Sequence, residues 1–151
     1  MIKNINSKYQ KEVHDALEKC QFVEETLRVY INLAIEIAKL ELATHFPVRF
    51  TTADLGKLPL GKLVTVYSRL SDNAPLKSLL KNITQERNHV AHRSLLFTIG
   101  ELHDSHHMQQ SLQKLTDIKE RAKKAHEELL EETWKLQRSL MKIELKPKTK
   151  P

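Results

Sequence analysis

Residues whose types and spacing suit phosphate chemistry are concentrated in one short stretch, Glu86-Arg87-Asn88-His89-Val90-Ala91-His92-Arg93. A histidine that titrates near neutrality can take the proton from a ribose 2′-hydroxyl or give one to the departing 5′-oxygen. An arginine offers several donors and a permanent charge to a phosphate as negative charge builds in the transition state. An asparagine can orient either partner. His92 is therefore the candidate general acid or base, Arg87 the transition-state clamp and Asn88 the orienter, with His89 and Arg93 as flanking candidates for RNA contact. The nucleophile would be the substrate's own 2′-hydroxyl, so DNA is expected to be inert. No cluster of carboxylates surrounds Arg87, and the chemistry implies neither a metal nor another cofactor. The competing reading is a solvated basic helix face, since cations that contact phosphate look like any other exposed cation in sequence.

The spacing alone carries little information. Seven arginines and eight histidines in 151 residues give roughly 0.4 expected cases of Arg followed by His five positions later. The chain supplies a second case, Arg121-Ala122-Lys123-Lys124-Ala125-His126. That copy lacks a polar residue after the arginine, lies in a highly charged run and reads as solvated helix. Requiring Asn directly after Arg, with six asparagines in the chain, lowers the expected count to about 0.015.

On a helix, Asn88 and His92 are four apart and stack on one face. Arg87 lies about 140° around from His92. Within one chain the two side chains diverge, whereas two copies of the helix packed about a two-fold axis could present them to a shared cleft. A homodimer follows as the expectation.

Arg87-Asn88-His89-Val90-Ala91-His92 resembles the signature of the HEPN superfamily: an arginine, a polar residue that is often Asn, and a histidine a few positions on. The surrounding chain is compatible with it, having a long N-terminal helix, a Leu60-Gly61-Lys62-Leu63 turn before a helix, the motif helix and a long final helix. The resemblance implies a homodimeric helical-bundle ribonuclease that cleaves RNA without metal, leaving a 2′,3′-cyclic phosphate. Arg87 and His92 of both protomers would form a composite site, with Asn88 in support. It further implies a role in prokaryotic defence or as a toxin beside an antitoxin, often a nucleotidyltransferase-like protein. Some members of the superfamily bind nucleotides or RNA, or assist a partner, without cutting anything; that alternative stays open.

The elements that must position these residues are helical. Lys8 to Ala43 contains neither Gly nor Pro, and Val13, Leu17, Cys20, Val23, Leu27, Tyr30, Ala34 and Ile37 recur in steps of three and four. This predicts one amphipathic helix, with room for a single bend or break. Thr44 to Gly61 holds two prolines and two glycines and predicts a long connection, extended at Val48 to Thr51. A second helix is predicted from near Pro59, through Leu63, Val64, Tyr67 and Leu70. Pro75 would open a short helix through Leu80, and Asn82 with Gln85 resembles a capping box for a further helix from Ile83 to Phe97. The last helix is predicted from Ser105 to Ile143, and Glu144 to Pro151 as a disordered basic tail. The fold class is all-α, a single domain over residues 1–143, with two long helices and shorter ones between them.

Composition agrees. The formal charge of +6 suits a polyanionic partner, although Lys142, Lys146, Lys148 and Lys150 supply much of it from the last ten residues. No apolar run approaches a membrane span and no signal-peptide pattern opens the chain, so the expectation is a soluble, cytoplasmic protein. The lone Cys20 excludes an internal disulfide and falls on an apolar stripe, as core cysteines do. Tyr30 and Trp134 read as packing residues, and Glu18, Glu24 and Glu25 as an exposed face without acid-base pairing. Phe46, Arg49 and Phe50 lie in the long connection, where packing against the bundle and stacking on unpaired bases are both open. His103 and His107 are four apart, a metal-ligand spacing, but helix-start signals fall within Glu101 to His107 and no third ligand is evident.

Overall fold

The computed structural model describes residues 2–43, 45–47, 55–96 and 105–145. Among these the chain forms four α-helices and no strand: α1 (Ile2–Leu42), α2 (Leu60–Leu70), α3 (Ala74–Leu96) and α4 (Ser105–Glu144), with a 3-10 turn at Leu55–Lys57 before α2. It is an all-α helical bundle with two long helices and two shorter ones between them. The stretch predicted to be extended, residues 48–51, and the tail 146–151 lie outside the described residues.

The uninterrupted period of α1 makes it a single helix of 41 residues, about 60 Å long. Its stripe of Val13, Ala16, Cys20, Val23, Leu27 and Ile31 is buried. The matching stripe of α4 is Met108, Leu115, Ile118, Ala122, Ala125 and Leu129, and the two alanines are fully buried. Small residues there let the two backbones approach closely. The helices run parallel, since Glu12 pairs with Lys119 and Thr26 hydrogen-bonds His126 further along both. α3 runs the opposite way, with Asn73 on Glu132 and Glu86 on Arg121.

Two expectations fail here. The separate helices predicted over 75–80 and 83–97 are one continuous helix, because the stripe of Leu76, Leu80 and Ile83 runs through the boundary and buries all three side chains. Its cap is Asn73, whose Oδ1 accepts the Leu76 N–H at 3.1 Å; Asn82 is an exposed mid-helix residue. Trp134 is 57% exposed rather than packed, because buried Thr133 takes the inward position beside it. Tyr30 does pack, edge-on to Tyr67 with ring centroids 5.0 Å apart. The turn between α2 and α3 is tied to α4 through Glu132, which accepts from the Tyr67 hydroxyl and from Asn73 Nδ2, both at 2.7 Å. Burial above all, and then the neighbouring Glu132 charge, hold the Tyr30 hydroxyl above the ordinary tyrosine pKa; burial raises that of Tyr67 further.

Candidate functional site

The inward stripe of α3 is Leu76, Leu80, Ile83 and Val90. Arg87 stands four residues after Ile83 and three before Val90, so helical register places it on that same stripe. An arginine therefore occupies a position that the pattern reserves for a core aliphatic. It is only partly buried, because the packing opens around it. Towards α1 lies a cavity of about 470 Å³, to which Arg87, His14, Glu18, Gln21 and Glu24 contribute. Towards the start of α2 lies a recess of about 320 Å³, formed with Pro59, Gly61, Lys62 and Asn88.

The ionic state of Arg87 sets it apart from its peers. Arg28 binds Glu24 at 2.5 Å and Glu25 at 2.7 Å, and also reaches the Leu58 carbonyl at 3.0 Å. Arg121 is closed onto Glu86. Arg69 and Arg138 are exposed. Arg87 is partly buried, yet among the described residues no carboxylate comes within ion-pairing distance of it. Among the described residues its side chain makes a 3.5 Å approach to Asn88 Oδ1, at the outer limit of a hydrogen bond. The guanidinium thus keeps most of its donors for something else.

The structure keeps Asn88 beside Arg87 and on the same face of α3 as His92, but turns Arg87 itself away from the histidines. Lys81, Gln85, Asn88 and His92 follow in steps of four, three and four along the outer face of α3, and all four are exposed. His92 looks to solvent, while Arg87 looks to α1 and α2. His89 is exposed too, and lines a groove of about 480 Å³ between α3 and α4 with Lys114 and Arg121. Arg93 belongs to α3, and its side chain lies outside the described residues.

The second Arg-to-His pair is not the solvated helix its sequence suggests. Arg121 uses two nitrogens on Glu86. His126 Nδ1 lies 2.9 Å from the hydroxyl of buried Thr26, and its ring is 6.0 Å from that of Phe22. Both side chains are consumed in holding α4 to its neighbours. Glu24, expected on an exposed face, is instead partly buried and engaged by Arg28, because that part of α1 meets the segment leading into α2; Glu18 and Glu25 are exposed.

Of the remaining candidates, Cys20 is 2% exposed. Burial pushes its thiol up to about 11, with the nearby Arg87 guanidinium pulling the other way. It is a protonated core residue at neutral pH and no nucleophile. Phe46 is 63% exposed, while Arg49 and Phe50 lie outside the described residues. His106, in the first turn of α4, has Nε2 3.0 Å from Gln110 Nε2. His103 lies outside the described residues, and among those described no group of three potential metal ligands converges. Sequence reasoning did not find His14 or Lys62. Neither belongs to a motif, and they come near Arg87 through packing alone. The available signal was the register of Arg87 itself, which places it on the inward stripe of α3. No described helix is long and apolar enough to cross a membrane.

Against family models, curated proteins and solved structures, the chain has no significant match.

Proposed function

We propose that this chain is a metal-independent endoribonuclease of HEPN type that works as a homodimer. Arg87 binds the scissile phosphate, Asn88 orients it and His92 transfers a proton. His89 and Arg93 flank the site as RNA contacts. The 2′-hydroxyl attacks phosphorus, the 5′-oxygen leaves, and a 2′,3′-cyclic phosphate remains. A defence or toxin role beside an antitoxin, such as a nucleotidyltransferase-like protein, in a cytoplasmic setting is part of this reading. The observation that carries it is Arg87: a partly buried guanidinium, facing a cavity, with no carboxylate partner among the described residues. Holding a cation so costs stability unless an anion completes it. Polyanionic RNA also suits the formal charge of +6.

The outward direction of His92 favours a second reading, in which a single chain binds RNA or a nucleotide at Arg87 without turnover. The dimer separates the two readings, because it alone can bring a partner's His92 to the phosphate held by Arg87. The test is incubation with mixed cellular RNA and with DNA of matched sequence, in EDTA. The wild type, His92→Ala and the exposed control Arg138→Ala are compared. Cyclic-phosphate fragments from RNA alone, lost with His92→Ala and kept with Arg138→Ala, are the expected result. Intact RNA that is nevertheless retained by the protein would establish the binding reading instead.

A further inference from the structure

Metal-free cleavage of RNA needs two proton transfers at opposite ends of an in-line displacement. One group must take the 2′-hydroxyl proton, and another must give a proton to the departing 5′-oxygen. The motif supplies one histidine per chain, and it points away from Arg87. The fold supplies another. His14, on α1, lines the cavity that Arg87 enters, and it is exposed rather than committed to the core. α1 and α3 run antiparallel, so the two ends of this cavity carry different chemistry. Glu24 belongs to the end nearer the α2 approach, where Arg28 holds it, and His14 belongs to the end nearer Ala91. His92 of the same chain does not line this cavity, so the histidine that faces His14 across a bound phosphate is the one a second protomer brings. In the homodimer proposed above, a phosphate gripped by Arg87 has His14 on the cavity side and the partner's His92 on the other, the opposite placement that in-line displacement demands.

Glu18 lies one helical turn beyond His14 on α1 and lines the same cavity. At that spacing its carboxylate can accept one imidazole N–H and leave the other directed at the substrate. No ion pair occupies Glu18 among the described residues.

We propose that His14 is a second catalytic histidine, protonating the leaving 5′-oxygen of the RNA strand held in the cavity it shares with Arg87. The assignment rests on the ribonuclease reading above. In the step, the 2′-oxygen–phosphorus bond forms as the phosphorus–5′-oxygen bond breaks. The 2′-hydroxyl proton passes to the partner's His92 and the His14 proton passes to the 5′-oxygen. The products are a 2′,3′-cyclic phosphate and a free 5′-hydroxyl, and solvent exchange resets both imidazoles.

The test compares ordinary RNA with RNA carrying sulfur in place of the 5′-bridging oxygen, both in EDTA; a thiolate leaves without needing a proton. His14→Ala should cleave ordinary RNA about 10²- to 10⁴-fold more slowly than wild type, yet cleave the sulfur substrate at close to the wild-type rate. His14→Gln should behave likewise, which guards against a folding effect of one variant. His92→Ala should lose both substrates. If His14→Ala cleaves ordinary RNA normally, or loses both substrates equally, His14 is not the acid although the ribonuclease reading stands. If the wild type cleaves neither substrate, that reading fails and this assignment fails with it.

Discussion

Arg121 and Arg87 each stand five residues ahead of a histidine, and their surroundings differ in every respect that matters for chemistry. Arg121 is closed onto Glu86, and His126 hydrogen-bonds Thr26 at 2.9 Å. Arg87 faces a cavity with no carboxylate at ion-pairing distance among the described residues, and His92 is exposed. Spacing on a helix therefore distinguishes little. What separates the two pairs is whether their hydrogen-bonding and ionic capacity is already used inside the fold.

The largest effect expected from this contrast is on cleavage. Arg87→Ala should slow RNA cleavage by about 10²- to 10³-fold, as loss of a preorganised donor to a transition-state charge does. Arg121→Ala should leave the rate within about twofold of wild type. Equal losses from the two variants would erase the distinction.

Stability should show the reverse order along α3. Leu80 is fully buried on the same stripe as Arg87, and Leu80→Ala should cost about 2–5 kcal/mol in urea unfolding. Arg87→Leu places an aliphatic side chain where the stripe expects one. It should raise stability by up to about 1 kcal/mol while abolishing cleavage. A large destabilisation by Arg87→Leu would mean that the arginine is part of the scaffold.

α1, α2 and α4 follow directly from uninterrupted apolar periods. The sequence predicts two helices where α3 is one, because Asn82 and Gln85 mimic a local start signal that the buried Leu76, Leu80 and Ile83 override through tertiary packing. Arg87, Asn88 and His92 stand out in the sequence because their types and order are rare by chance. The inward direction of Arg87 is implicit in its register with Leu76, Leu80, Ile83 and Val90, whereas the helices it faces depend on how α3 packs. The pairing of Glu86 with Arg121, 35 residues apart, leaves no local trace, and so the second Arg-to-His copy passed for solvated helix.

Smaller effects sharpen the structural half of the contrast. Thr26→Ala leaves His126 without its buried hydroxyl partner and should cost about 1 kcal/mol. Glu86→Gln removes an ion pair whose arginine side chain is 40% exposed, so its effect should be below about 1 kcal/mol and should shrink further in salt.

Cys20 gives the last check. Its thiol is raised from 9.0 to about 11 by burial, so the folded state holds the proton more tightly than the unfolded one. The stability this contributes is fully present below about pH 9 and is lost as pH rises towards about 11. Tyr67 and Tyr30, also raised, act with the same sign at higher pH. Cys20→Ala should flatten the fall in unfolding free energy between those two pH values, measured against wild type in urea. An unchanged slope would place the thiol in contact with water.

The most direct test of the central claim is single-turnover cleavage of one defined RNA in EDTA by wild type, Arg87→Ala and Arg121→Ala, with the product ends identified. The account expects cyclic-phosphate ends from wild type and Arg121→Ala at similar rates, and a loss of at least about 10²-fold with Arg87→Ala. Cleavage by Arg87→Ala at the wild-type rate would contradict it.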